Sequence, residues 1–120
     1  MIDKTYFKEE AAEMGFSLSE EQLAQFDRYA AMLVEWNEKV NLTAILEPRE
    51  IVVKHFVDSL CLLEHCQLAE GAHLVDIGTG AGFPAIPVKL YRPDLQITMI
   101  DSLGKRIRFL ESVASELGLT

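Results

Sequence analysis

Three glycines and two aspartates have the spacing of a ligand-binding loop. Gly78, Gly80 and Gly82 form a G-x-G-x-G pattern. Asp76 lies two positions before this pattern, and Asp101 lies 21 positions after Gly80. Glycine allows a sharp turn and lets a ligand approach the bare backbone. In open α/β folds, an acid about 20 residues beyond such glycines accepts hydrogen bonds from ribose hydroxyls, so the spacing predicts a nucleoside-containing cofactor.

The two residues after the last glycine narrow the choice of cofactor. Dinucleotide-binding loops of the G-x-G-x-x-G type have glycine or alanine at the position that Phe83 occupies. Pro84 also lacks the backbone amide that a diphosphate could use. Both features favour a ligand without bridging phosphates, and Asp76 would face a positive charge such as a sulfonium or ammonium. We therefore expect S-adenosylmethionine, with a nicotinamide- or flavin-binding oxidoreductase as the alternative.

The hydrophobic pattern places the glycines between a strand and a helix. Residues 74–77 are a short apolar run, which is typical of a buried parallel strand. A second strand is predicted over residues 95–100, and helices are predicted over residues 84–91 and 105–117. This alternation predicts an α/β fold, the first half of a doubly wound parallel sheet.

Helices are also predicted before the first strand, over residues 4–14 and 20–39 and from Pro48 to a point before Gly71. Ser19 followed by Gln22 is a capping-box signature for the second of these helices. On that helix Tyr29 and Trp36 have the spacing of packing residues. The third helix would bury Val52, Phe56, Leu60 and Leu63.

This order of elements predicts that the chain is divided into two parts. We expect an N-terminal helical segment, residues 1–70, and the start of the cofactor-binding domain, residues 71–120. A further alternative is a non-catalytic module in which residues 1–65 bind a partner.

The net charge of -8 argues against a broad nucleic-acid-binding surface, because phosphate contacts need clustered cations. Lys105, Arg106 and Arg108 are the densest basic group, and they form either a solvated helix face or a local RNA contact. The spacing of Cys61 and Cys66 predicts reduced thiols and no metal site. No apolar run approaches the roughly 20 residues of a membrane span, so we expect a cytoplasmic protein without a membrane partner.

Several blocks of the chain together resemble one bacterial protein family. In order, the blocks are Trp36-Asn37, Asn41-Leu42-Thr43, His55-Phe56-Val57-Asp58-Ser59, residues 75–84 and residues 101–110. They are similar to the N-terminal part of the glucose-inhibited division protein B family, also called RsmG. The resemblance spans nearly all 120 residues. It implies a Rossmann-like class I methyltransferase fold and methylation of N7 of a guanine in small-subunit (16S) ribosomal RNA, free or in the ribosomal particle.

The resemblance also implies roles for individual residues. Gly78 and Phe83 match cofactor-contacting positions, and Asp101 matches the acid after the second strand. With these, the expected cofactor-binding set is Asp76, Gly78, Thr79, Gly80, Gly82, Phe83, Asp101 and Ser102. His55, Asp58 and Ser59 fall near the catalytic face of the family, although a hydrogen bond from His55 to Asp58 is an equally good structural interpretation.

No nucleophile and base pair is found, and the implied reaction needs none. Guanine N7 has a lone pair and no proton, so catalysis would depend mainly on orientation. Family members continue beyond Thr120, and two parallel strands leave a sheet edge open. We therefore expect this chain to be inactive alone and able to self-associate.

Overall fold

The computed structural model describes residues 1–119. The N-terminal part of this range contains four α-helices and one π-helical segment: α1 (Lys4–Glu13), α2 (Glu20–Asn37), α3 (Pro48–Glu50), the π-helical segment (Ile51–Val57) and α4 (Asp58–His65). No helix within residues 1–119 is both long enough and apolar enough to span a bilayer.

Side-chain hydrogen bonds are formed at both ends of helix α2. The predicted capping box is confirmed, because the Ser19 hydroxyl accepts from the Gln22 amide and the Gln22 side chain accepts from the Ser19 amide. The helix ends at Asn37 and not at the predicted residue 39. Asn37 Oδ1 accepts from the amides of Leu42 and Thr43, each at 2.9 Å, and these two bonds turn the chain back on itself. We call residues 38–47 the 38–47 turn.

The helix predicted from Pro48 is confirmed at its start, but its middle differs from the prediction. The segment Ile51–Val57 is π-helical, and helical structure then continues to His65. Ile51, Val52 and Phe56 are the buried residues of this segment. Apolar spacing predicted one regular α-helical face, because an extra residue in one turn has no distinct residue-type signal.

The rest of the chain confirms the predicted alternation of strands and helices. Its elements are β1 (His73–Ile77), α5 (Ala85–Tyr91), β2 (Gln96–Ile100) and α6 (Gly104–Glu116). The strands β1 and β2 pair in parallel, with His73 opposite Gln96 and Ile77 opposite Ile100. A parallel pair needs a crossover connection, and α5 supplies it.

The prediction that β1 is a buried strand is wrong, because His73, Val75 and Ile77 are exposed and Leu74 and Asp76 are only half-buried. Ile77 is 79% exposed, and Val75 and Ile100 are also exposed. Side chains alternate between the two faces of a strand, and within residues 1–119 the helices pack against one face of the sheet. Ile97 and Met99 on β2 lie on the covered face, beside α5 and α6.

One aromatic cluster joins the helical part to the α/β part. Phe7, Phe26 and Phe56 have ring centroids 4.9 to 5.6 Å apart, and Tyr29 stacks on Phe56 at 5.6 Å. The same group of buried residues extends to Phe109 on α6, against which Trp36 packs edge-on. The packing roles predicted for Tyr29 and Trp36 are therefore confirmed. The division of the chain at residue 70 stays a prediction.

Candidate functional site

The glycine loop, residues 78–83, connects β1 to α5 at the carboxyl end of the sheet. Gly78, Gly80 and Gly82 have φ angles of 72°, 59° and 98°, a region that other residues rarely adopt. The amides of Gly78 and Thr79 donate to the carbonyl of Ile100, at 2.7 and 3.2 Å. The loop therefore begins where the two parallel strands end.

The glycines differ in what surrounds them. A β-carbon on Gly78 or Gly80 would meet no atom within 4 Å. A β-carbon on Gly82 would lie 2.5 Å from Ile86 Cδ1 and 2.9 Å from the hydroxyl of Tyr29. The first two glycines thus leave open backbone that a ligand can approach, whereas Gly82 is required by packing inside the molecule.

Asp76 connects the end of β1 to the start of α5. Its Oδ2 accepts a hydrogen bond from the Thr79 hydroxyl at 2.8 Å and one from the Ala85 amide at 3.3 Å. Asp76 is half-buried and Thr79 is buried. Among the predicted cofactor contacts, the Thr79 side chain therefore acts within the loop by holding Asp76.

Asp101 supports the loop from the end of β2. Its Oδ2 accepts from the Gly80 amide and its Oδ1 from the Leu103 amide, both at 2.9 Å, and its side chain is 3% exposed. The hydrogen bond from Leu103 contributes most to lowering the pKa of this carboxyl, and the Gly80 amide and the nearby Arg106 also lower it. Oδ2 faces both the Gly80 amide and Arg106, whereas Oδ1 accepts one hydrogen bond and keeps an acceptor site. Ser102 lies exposed beside Asp101.

The side-chain rings of His55 and Phe83 lie together at the end of the loop that leads into α5. The rings of His55 and Phe83 are stacked, with centroids 4.1 Å apart and an interplanar angle of 6°. His55 Nε2 is hydrogen-bonded to the Thr43 hydroxyl at 2.9 Å, and that hydroxyl accepts from the Ile45 amide. Burial lowers the pKa of His55, an effect that the carboxylate of Asp58 opposes, so the imidazole is neutral at pH 7.

This arrangement corrects the sequence interpretation of His55. Its hydrogen-bond partner is Thr43, 12 residues earlier in the chain, and not Asp58. The π-helical segment and the 38–47 turn bring the two side chains together, which helical spacing alone could not predict. Asp58 is exposed, whereas Ser59 is buried in the core.

Three residues that sequence reasoning did not assign to the site support the loop. Tyr29 donates a hydrogen bond from its buried hydroxyl to the Ala81 carbonyl at 2.5 Å. Asn37 holds the 38–47 turn, and Thr43 in that turn holds His55. Asn37 and Thr43 belong to the blocks that carry the family resemblance, and their place in those blocks is the sequence feature that could have assigned them to the site. Tyr29 had no such signal, because an aromatic residue on an apolar helix face is ordinary core.

The three clustered cations do not share one environment. Lys105 and Arg108 are exposed, and with Trp36, Lys39 and Val40 they line a groove of about 570 Å³ between the end of α2 and the start of α6. Glu35 and Glu38 are also at its edge. Arg106 is directed inward, with Nη1 3.8 Å from Asp101 Oδ2 and Nη2 donating to the Asn41 carbonyl. The predicted solvated face is therefore wrong for Arg106.

Comparisons with known proteins agree with the resemblance seen in the sequence. A family model described as "rRNA small subunit methyltransferase G" matches residues 22–120. Three curated relatives named "Ribosomal RNA small subunit methyltransferase G" come from Desulforamulus reducens, Desulfitobacterium hafniense and Alkaliphilus metalliredigens. They are 51%, 56% and 49% identical over 94%, 89% and 99% of this chain, and over 47%, 44% and 50% of their own lengths. The chain thus spans about half the length of these curated relatives.

The two environments of the glycines predict different costs of substitution. Gly80→Ala adds a methyl group to open space and incurs mainly the cost of positive φ, about 1 kcal/mol. Gly82→Ala must also displace Ile86 and Tyr29, so we expect a loss of about 3 kcal/mol. Urea unfolding of both variants measures the difference, and equal losses would contradict the assigned packing at Gly82.

Burial of His55 predicts a pH dependence of stability. Its pKa is lower in the folded chain than in the unfolded chain, so this contribution is complete above about pH 6.5 and decreases as the pH falls below that value. In His55→Gln the free energy of unfolding should fall less between about pH 7 and pH 5 than in the unsubstituted chain.

Thr43→Ser is the matched control, because it keeps the hydroxyl that meets His55. We expect it to retain the pH dependence of the unsubstituted chain. Identical pH profiles for His55→Gln and the unsubstituted chain would rule out a half-buried imidazole with a lowered pKa.

Proposed function

The chain belongs to the rRNA small subunit methyltransferase G family, and on this basis we propose that it binds S-adenosylmethionine at the glycine loop for methyl transfer to small-subunit ribosomal RNA. One observation carries the proposal. Open glycine backbone lies between two acids at the carboxyl ends of adjacent parallel strands. Ligands of open α/β sheets bind outside these strand ends, which supports a Rossmann-like assignment for β1, α5 and β2.

The residues at this site fit such a cofactor chemically. Gly78 and Gly80 leave room for close approach, and Asp101 keeps lone pairs that can accept ribose hydroxyls. Asp76 provides negative charge beside the loop for a cationic ligand. Gly82, Phe83 and Thr79 hold the loop in shape, and exposed Ser102 offers a further polar contact.

The proposed reaction assigns the protein an orienting role. When bound, the cofactor supplies an electrophilic methyl group on sulfur. Guanine N7 carries a lone pair and no proton, so no side chain has to act as a base. Alignment of N7 with the methyl group then provides most of the rate enhancement. The imidazole of His55 beside Phe83 is neutral. A positive charge there would oppose the positive charge that develops on the purine during methyl transfer.

The groove between α2 and α6 is suited to the RNA. Lys39, Lys105 and Arg108 supply cations for phosphates, and Trp36 supplies an aromatic ring on which a base can stack. The groove adjoins the segment that follows Asp101, so an RNA strand held there would lie near the proposed cofactor. Its small size agrees with a local contact in a chain of net charge -8.

Membership of a methyltransferase family argues against the two alternatives. A nicotinamide or flavin oxidoreductase would place glycine or alanine at position 83, where this chain has a phenylalanine stacked on His55. A partner-binding module limited to residues 1–65 gives no reason for the open glycines or for the two acids that support them.

Cofactor binding can be measured by calorimetry with S-adenosylhomocysteine, the demethylated product. We expect saturable binding, no binding of NAD⁺, and about tenfold weaker binding by Asp101→Asn, which loses charged hydrogen bonds. Glu111→Gln, an exposed acid on α6, is the control and should bind normally. Preference for NAD⁺, or full affinity in Asp101→Asn, would contradict the proposed site.

The RNA groove predicts a change in salt dependence. In binding to a small-subunit RNA fragment, Lys105→Gln and Arg108→Gln should each reduce the slope of log K against log salt by about 0.7 to 0.9. Lys8→Gln on α1, outside the groove, should leave the slope unchanged. The groove is excluded as the RNA contact if all three variants keep the slope of the unsubstituted chain.

A further inference from the structure

Arg106 differs from its basic neighbours in direction and in partners. Lys105 and Arg108 are exposed, whereas the Arg106 side chain is 30% exposed and directed inward. Its Nη1 lies 3.8 Å from Asp101 Oδ2, and its Nη2 donates to the Asn41 carbonyl at 3.3 Å. Its Nε is buried and has no hydrogen-bond partner within residues 1–119.

These contacts connect α6 to the glycine loop through one atom. Asp101 Oδ2, which faces Arg106, also accepts the hydrogen bond from the Gly80 amide. Any rotation of the Asp101 carboxylate would therefore change both contacts together. Two backbone amides hold the Asp101 carboxylate at 2.9 Å, and the Arg106 guanidinium adds an ion pair at 3.8 Å on Oδ2.

The second partner of Arg106 lies on the helical side of the molecule. Asn41 belongs to the 38–47 turn, which Asn37 holds and in which Thr43 reaches His55. Arg106 thus joins this turn to the acid at the end of β2. The planar guanidinium can address two partners at once, which a lysine ammonium in the same place could not do with the same geometry.

We propose that Arg106 is a positioning residue for cofactor binding, which orients Asp101 toward the ribose hydroxyls and fastens the 38–47 turn to the same acid. This inference rests on the proposed function and deepens it. The basic cluster is then divided: Arg106 serves the cofactor acid, while Lys105 and Arg108 remain available to RNA phosphates. An arginine engaged by a carboxylate and a carbonyl contributes little to counterion release on RNA binding.

The test compares two ligands, S-adenosylhomocysteine and its 2′,3′-dideoxy analogue, which lacks the ribose hydroxyls. Calorimetry is carried out on the unsubstituted chain, Arg106→Gln, Arg106→Lys and the control Arg28→Gln, an exposed arginine that pairs with Glu116 outside the loop and the groove. We expect Arg106→Gln to weaken binding of S-adenosylhomocysteine about tenfold and to change binding of the analogue by less than about twofold. Arg106→Lys should have an intermediate effect, and Arg28→Gln should change neither affinity.

Three outcomes would overturn the inference. Equal losses for both ligands would show a general structural role, and no loss for either ligand would exclude positioning of Asp101. An RNA salt slope reduced in Arg106→Gln as much as in Arg108→Gln would reassign Arg106 to RNA. If Arg106→Gln does not fold, Arg106→Lys replaces it in the test. A larger loss of affinity for S-adenosylhomocysteine than for the dideoxy analogue then supports the inference, and equal losses or no loss overturn it. Failure of the unsubstituted chain to bind S-adenosylhomocysteine would instead overturn the proposed function, and it is visible before any variant is made.

Discussion

The buried hydroxyl of Tyr29 donates a hydrogen bond to the carbonyl of Ala81, and this contact determines how the two parts of the chain meet. Burying a phenol without a partner is costly, so α2 can pack in this position only with the glycine loop against it. Burial also raises the pKa of Tyr29, which keeps the hydroxyl protonated and able to donate. A β-carbon on Gly82 would lie 2.9 Å from this hydroxyl and 2.5 Å from Ile86 Cδ1, so any side chain there would have to displace them. The helical part thus shapes the loop directly.

The loop is held at its other positions by its own acids. Asp76 binds the Thr79 hydroxyl and the start of α5, and Asp101 binds the amides of Gly80 and Leu103. The backbone around Gly78 and Gly80 is consequently ordered and yet open. Preorganisation of this kind matters for a reaction that depends on alignment and needs no proton transfer from the protein. Asp76 and Asp101 therefore have two functions: their carboxylates can contact a nucleoside ligand, and their hydrogen bonds hold the loop in place.

Most of the architecture could be predicted from local sequence. The parallel strand-helix-strand unit, the capping box at Ser19 and the glycines with positive φ follow from periodicity and from the conformational freedom of glycine. The predictions failed where a partner comes from a distant part of the chain. The exposed side of β1 and the inward direction of Arg106 depend on which elements pack nearby, and the extra residue in the π-helical segment has no marker among residue types.

The sequence by itself determined the family, the α/β order of elements and the positions of the glycine loop and its two acids, because these depend on residue type and short-range spacing. Only the tertiary structure decided which side chains serve which partner. It joined His55 to Thr43 and Phe83, directed Arg106 to Asp101 and left Lys105 and Arg108 in a groove with Trp36. The physical reason is that hydrogen bonds, ring stacking and burial act between atoms that are close in space, and separation along the chain does not predict that closeness.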